Sequence, residues 1–319
     1  MHTQSLPKIT VLLGPTASGK SAWAYLLAHA FDFEIINADS RQVYGQLQIG
    51  TAKPKGEWRA HPQTGERVYM VEDIPHYLMD VIDPAYPYTV AEWKVSVETR
   101  AREIVSRNKK VLFVGGTGLY LDALTENFEM PVRDHGNARR IELQKKPLVE
   151  LVRLLREYDA TSAARVDIKN QRRVLRALEV VLATGESFVA QQKKQLPQFD
   201  AFKLGVRVPM EELTHRINAR VDMMTEEGFL KEVQTLLYAG YTEDAHALQS
   251  VGYRELIAHL KGEMTLDEAV QRIKIATRQY AKRQMTWFKR DKKIKWVESS
   301  EQARDVVMLH YGMPLRQGL

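Results

Sequence analysis

The octet Gly14-Pro15-Thr16-Ala17-Ser18-Gly19-Lys20-Ser21 fits the spacing G-x-x-x-x-G-K-[ST] in full. Such a spacing suits the holding of phosphate. Its glycines let backbone N–H groups close on phosphate oxygens, and a helix starting at the loop's end adds positive potential. Lys20 would reach the distal phosphate, and the Ser21 hydroxyl is placed as a Mg²⁺ ligand. A second group is Asp39-Ser40-Arg41-Gln42, directly after the apolar run Phe33–Ala38. A carboxylate at a strand's end beside a phosphate loop serves as a general base or as an aid to Mg²⁺. An Asx turn is the plainer use of the same side chain. Ser40, Arg41 and Gln42 offer hydrogen bonds to a polar ring or a phosphate backbone. In the third group, Val114-Gly115-Gly116-Thr117-Gly118, the glycines fit either a close backbone approach or a tight turn. Thr117 adds a hydroxyl.

Positioning these groups requires strands that end together. Residues 9–13, 33–38 and 109–116 are apolar runs of strand length, and each leads into one of the three groups. The stretch after Ser21 has helical periodicity. So do residues 89–108, where Val90, Trp93, Val97, Ala101 and Ile104 share a face. Alternating strand and helix predicts a parallel sheet covered on both faces, with its ligand crevice outside the carboxyl ends of the strands. Near residue 129 the pattern breaks, at Pro131 and Gly136, and the next strand signal is 202–208. The expected fold is therefore α/β, a P-loop-type open parallel sheet flanked by helices. Its core would comprise residues 1–128 plus 202–319, with a helical insertion domain at 129–201.

Between Ala138 and Gly185 there are eleven Lys/Arg against six Asp/Glu. Arg172, Arg173 and Arg176 sit on one helix, opposite a stripe of Val174, Leu178, Val181 and Leu182. Gly185 is placed to end that helix. A longer helix begins near residue 266, with a core-facing stripe of Val270, Ile273, Thr277, Tyr280 and Trp287. From Arg272 to Lys295 there are ten Lys/Arg and one acid, Asp291. Overall Lys plus Arg exceed Asp plus Glu by six, and the pI is near 9.2. The excess is modest, but its clustering is the footprint of a nucleic-acid partner. Zero cysteines exclude disulfides, thiolate catalysis and cysteine-bound zinc. The short apolar run at the start suits neither a signal peptide nor a membrane span, so a cytoplasmic protein is expected. A monomer is the expected state.

Taken together the motifs resemble the bacterial tRNA dimethylallyltransferases, also called tRNA isopentenyltransferases. The resemblance rests on GPTASGKS, ADSRQVY, GTAKP, IPHYLMDVIDP, VGGTGLY, RALEV, RINARVDMM, VGYRE and TRQYAKRQMTWF, in the family's order over residues 9–290. It implies that residues 14–21 hold dimethylallyl diphosphate, with Mg²⁺ at Ser21 and help from Arg220 and Arg278. It implies as acceptor the exocyclic N6 of adenine 37 beside the tRNA anticodon. Asp39 would take the proton from N6, Lys20 would neutralise the leaving diphosphate, and Thr117 would hydrogen-bond the base. Contact with tRNA falls by resemblance on Asp39, Ser40, Arg41, Gln42 and Thr117, and on Arg139. It also falls on Arg172, Arg173, Val174, Leu175 and Arg176, and on Gln249, Ser250, Val251, Gly252, Tyr253 and Arg254.

Two departures stand out. Where the family usually has histidine-proline-asparagine before the arginine helix, this chain has Asp167-Ile168-Lys169-Asn170. The segment between Pro54 and Asp73 is longer than usual, and no role is assigned to it. An ATP-dependent small-molecule kinase would use the same loop, carboxylate and Mg²⁺, but has no need of basic helices. A transferase acting on free adenine nucleotides shares the chemistry and would not need the arginines of the insertion. A nucleic-acid-binding protein with the loop as a nucleotide sensor is a third reading. Labelled dimethylallyl diphosphate offered with AMP or with tRNA separates them.

Overall fold

In the computed structural model, which describes residues 6–129, 138–191 and 194–313 (side chains at 138–140 excepted), the first strand is apolar without alternation. Ile9 to Leu13 are all buried, as a strand covered on both faces requires. It is β1 (Lys8–Leu13), followed by β2 (Phe33–Asn37), β3 (Glu57–Ala60), β4 (Arg67–Val71), β5 (Ile74–Tyr77), β6 (Lys110–Gly115), β7 (Asp200–Val206) and β8 (Lys295–Val297). They form one sheet in the order β3-β4-β5-β2-β6-β1-β7-β8. From β5 to β8 every pairing is parallel, as expected. The hairpin β3-β4 joins the edge antiparallel. This hairpin is where most of the unassigned segment after Pro54 goes.

The helices are α1 (Lys20–Phe31), α2 (Val90–Ser106), α3 (Gly118–Thr125), α4 (Ala138–Gln144), α5 (Leu148–Tyr158), α6 (Ala160–Ala163), α7 (Gln171–Thr184) and α8 (Phe188–Gln191). After β7 come α9 (Met210–Glu226), α10 (Phe229–Tyr238), α11 (Tyr253–Leu260), α12 (Leu266–Phe288) and α13 (Ser300–His310). The predicted face of α2 holds: Trp93, Val97, Ala101 and Ile104 are fully buried. Trp93 lies against Phe113 of β6, and its Nε1–H donates to the Asn37 carbonyl at 3.0 Å, at the end of β2. On α1, Ala24, Leu27, Ala28 and Phe31 are buried in a cluster with Leu12, Ile35, Leu112 and Leu204. Among the described residues no helix is long and apolar enough to cross a membrane.

The chain divides into two compact units. One comprises Met1–Tyr88, Trp93–Leu121 and Gln198–Leu319, and contains the sheet. The other comprises Thr89–Glu92 and Asp122–Pro197. Its helices α5 and α7 bury Leu151, Leu155, Val174, Ala177 and Leu178 completely. Asn170 caps α7 by accepting from the Arg173 N–H, and Gly185 ends the helix in a left-handed conformation (φ 73°). Only glycine adopts that conformation without strain.

Candidate active site

The phosphate-type loop runs from β1 into α1. Ala17 (φ 62°) and Gly19 (φ 90°) are left-handed, the kind of backbone from which anion-cradling turns are built. Lys20 is the first residue of α1 and is half-buried, with Nζ donating to the Pro15 carbonyl at 2.7 Å. Burial pulls its ammonium down to about 8, the nearby Asp39 carboxylate pulls it back up, and the Arg220 guanidinium lowers it further. Lys20 thus lies within the field of both Asp39 and Arg220. Arg220, on α9, is itself lowered by burial. Arg278 of α12 donates to Asn218 Oδ1 at 2.7 Å and ties α12 to α9. Ser21 is exposed on the first turn of α1. A cleft of about 600 Å³ opens beside Ser18 and Gly19, with Trp23, Arg207, Glu212 and Arg216 around it.

At the end of β2 Asp39 forms the Asx turn. Asn37 grips the Asp39 backbone, accepting from its N–H at 2.9 Å and donating to its carbonyl at 3.0 Å. Asp39 Oδ1 then accepts from the Arg41 N–H at 2.8 Å, which is the Asx turn. Oδ2 has no partner among the described residues. A carboxylate held by one oxygen and open at the other is oriented for proton transfer.

The loop after β6 meets this turn. Thr117 Oγ1 accepts from the Ser40 N–H at 3.0 Å and donates to Ser40 Oγ at 3.3 Å. The glycines beside it are required by close approach: none of Gly115, Gly116 and Gly118 has a positive φ. A Cβ at Gly115 would sit 2.2 Å from the Ala38 backbone, at Gly116 2.3 Å from Gln284 Nε2, and at Gly118 2.3 Å from the Trp287 ring.

Helix α12 lies against these loops, with Tyr280 and Trp287 of the expected core stripe and, between them, Gln284. Tyr280, Gln284 and Trp287 lie on one face, at spacings of four and three. Burial and the Asp39 charge push the Tyr280 phenol up to about 12, against the pull of the nearby Arg41 and Thr117. Gln284 is buried and bonded at both ends of its amide. The available signal was a polar Gln284 where the stripe should be apolar, since a buried amide is there for its hydrogen bonds.

Of the expected tRNA contacts, Ser40 is fastened to Thr117. Arg41 Nη1 donates to the His246 carbonyl at 3.2 Å, and Gln42 Nε2 donates to the carbonyls of Thr51 and Ala52. On α7, Arg172 and Arg173 are exposed, Arg173 is 3.9 Å from Asp167, and Arg176 pairs with Glu179 at 3.5 Å. Val174 and Leu175 face inward and are 0% and 6% exposed, so their side chains cannot meet a partner. In the run Gln249–Arg254, Arg254 is exposed and Gln249 and Val251 are half-buried, whereas Ser250, Gly252 and Tyr253 are buried. Tyr253 donates to Glu232 Oε1 at 2.6 Å, and Ser250 Oγ bonds the Ala247 carbonyl. Those three are structural anchors. The Arg139 side chain lies outside the described residues.

A mostly parallel sheet, a phosphate-type loop between its first strand and helix, and a carboxylate and hydroxyl at the neighbouring strand ends define a P-loop-like α/β protein. A family model described as IPP transferase matches residues 42–291. The chain is 43% identical over 300 residues to a tRNA dimethylallyltransferase 2 of Geotalea uraniireducens, covering 92% of this chain and 93% of the relative. It is 43% identical over 305 residues to a tRNA dimethylallyltransferase of Geobacter metallireducens, covering 93% and 94%. Among solved structures, a tRNA delta(2)-isopentenylpyrophosphate transferase of Staphylococcus epidermidis matches with a TM-score of 0.68 at 33% identity, over 96% of this chain and 99% of that one. A eukaryotic dimethylallyltransferase acting on tRNA matches with a TM-score of 0.79 at 27% identity, over 98% and 81%. The chain belongs to the IPP transferase family.

Proposed function

We propose that the chain transfers the dimethylallyl group of dimethylallyl diphosphate to N6 of adenine 37 in tRNA and releases diphosphate. The observation that carries the reading is the meeting of the strand ends: the Ser40 N–H beside Asp39 donates to Thr117 Oγ1 at 3.0 Å, and Lys20 of the cradle feels the charges of Asp39 and Arg220. The cationic side suits a diphosphate and the polar side suits a base edge. The names borne by the relatives give the same pair of substrates a precedent.

In this reading the bond from the allylic C1 to the diphosphate oxygen breaks as N6 bonds C1. The N6 proton goes to Asp39 Oδ2, and the charge gathering on diphosphate is met by Lys20 and the loop N–H groups. Arg220 stands on the same side, within the field of Lys20, and Arg278 would assist it. Thr117, fixed by Ser40, would hold the base, which must leave its stack at about a few kcal/mol. Mg²⁺ fits the donor set only as an ion carried with the diphosphate. The Ser21 hydroxyl would be the protein ligand, and no group of three or more His or acidic side chains among the described residues could hold a metal alone. Bound there, the ion would supply further neutralisation of the leaving group.

The exposed Arg172 and Arg173 of α7 and the basic stretch 272–295 would meet the phosphate backbone. Asp291, the one acid in that stretch, is turned to Lys203 at 2.7 Å. The test is transfer of label from dimethylallyl diphosphate, with no ATP present, to unmodified tRNA or to AMP. Label in tRNA alone is expected. Label in AMP alone, or phosphorylation dependent on ATP, would overturn the proposal.

A further inference from the structure

We propose that Gln284 is a positioning residue that fastens the diphosphate loop to the acceptor loop and so sets the transfer distance. The inference rests on the transferase reading above.

The backbone ladder between β1 and β6 runs in register as far as Leu13 and Gly115. Beyond that pair the chain leaves the sheet on both sides, into the cradle at 14–21 and into Gly116-Thr117. Gln284 is a bridge past the end of the ladder. Its Oε1 accepts from the Thr16 N–H at 2.8 Å, and its Nε2 donates to the Gly116 carbonyl at 2.8 Å. The side chain is 5% exposed, so water cannot substitute for either partner.

The amide satisfies both groups, because one partner is a donor and the other an acceptor. A carboxylate would hold Thr16 and repel the Gly116 oxygen, and a thioether of similar length would release both. Room is tight as well: a Cβ at Gly116 would sit 2.3 Å from Nε2 and 3.1 Å from the Gly14 carbonyl. The amide thus fixes a phosphate-facing N–H segment at one end. At the other it fixes the residue just before Thr117.

Group transfer wants reacting atoms about 3–3.5 Å apart, and a misplacement of about 1 Å can lower the rate about 10²-fold. Gln284→Glu and Gln284→Met should therefore lower kcat by about 10- to 100-fold. The KM for dimethylallyl diphosphate and the Kd for tRNA should change by only about threefold, since each half-site keeps its own ligand groups. A role in stability alone would lower Tm and leave kcat per folded molecule unchanged. Gly116→Ala supplies a second test that survives poor folding of either variant. Alone it should lower kcat strongly, and in a Gln284→Ala background, where the amide is gone, its added effect should largely vanish. Folded Gln284→Met with the parent's kcat, or a Gly116→Ala effect equal in both backgrounds, would overturn the proposal. A parent that labels no tRNA would overturn the transferase reading instead, and the positioning role with it.

Discussion

In the proposed reaction a turn residue, Asp39, serves as the base. Its Oδ1 is committed to the Arg41 N–H, and that bond aims Oδ2. Asp39→Asn keeps an acceptor for Arg41 but cannot take a proton at neutral pH. Its kcat should fall by about 10²–10⁴-fold with tRNA affinity nearly unchanged, read by single-turnover transfer and filter binding. Turnover within a few-fold of the parent would remove Asp39 as the base. Lys20 carries a pH signature. Its ammonium, at about 8 in the free protein, should rise when an anion arrives, so binding takes up a proton above about pH 8. Below that pH Lys20 is charged in both states and does not alter affinity. Above it, diphosphate affinity should fall by up to about tenfold per pH unit. Calorimetry with inorganic diphosphate would show the break, and Lys20→Arg, charged throughout, should lose it. At this scale Lys20, Asp39 and Thr117 were legible because each follows a strand in a recognisable motif. Tyr280 and Gln284 were not, because periodicity reports that a face is covered and not what covers it.

At the scale of elements, α7 is two-sided. Its inner side makes the core of the helical unit, and Arg172 and Arg173 look outward. Changing both to Ala should weaken tRNA binding and flatten its salt dependence by about 0.7–0.9 in slope per lost phosphate contact. An unchanged slope would return them to an ordinary solvated surface. Arg176, paired with Glu179, should matter less. On α10, Glu232 accepts from the N–H groups of Gln48, Ile49 and Gly50 and from the Tyr253 hydroxyl. Glu232→Ala strands four donors and should cost about 1.5–3 kcal/mol or more, measured by urea unfolding. A loss below about 0.5 kcal/mol would show those donors to be satisfied otherwise. Strands β1, β2, β6 and β7 were legible as apolar runs. The hairpin β3-β4 was not: β3 is largely exposed and reads Glu-Trp-Arg-Ala, which carries neither an apolar run nor clean alternation. Nor did the sequence distinguish Tyr253 as an anchor, since its partner Glu232 is far away along the chain.

At the scale of the whole molecule, the first strand of the sheet is an interior one. β1 lies between β6 and β7, and β8 completes the far edge. Helix α13 returns to it, with Tyr311 within 3.1 Å of Thr10 Oγ1 and Lys8 Nζ donating to the His310 carbonyl at 3.4 Å. A ribosome emits β1 first and its second neighbour only after roughly 190 further residues, or about 10–40 s at common elongation rates. Throughout that interval the strand bearing the phosphate loop has a bare edge, and bare apolar edges invite pairing with other chains. Nascent chains arrested near residue 195 should therefore be held by chaperones or aggregate, whereas those released past residue 311 should be soluble; equal solubility at both lengths would refute this. A strand made early thus becomes native late, once β7 and α13 have followed it.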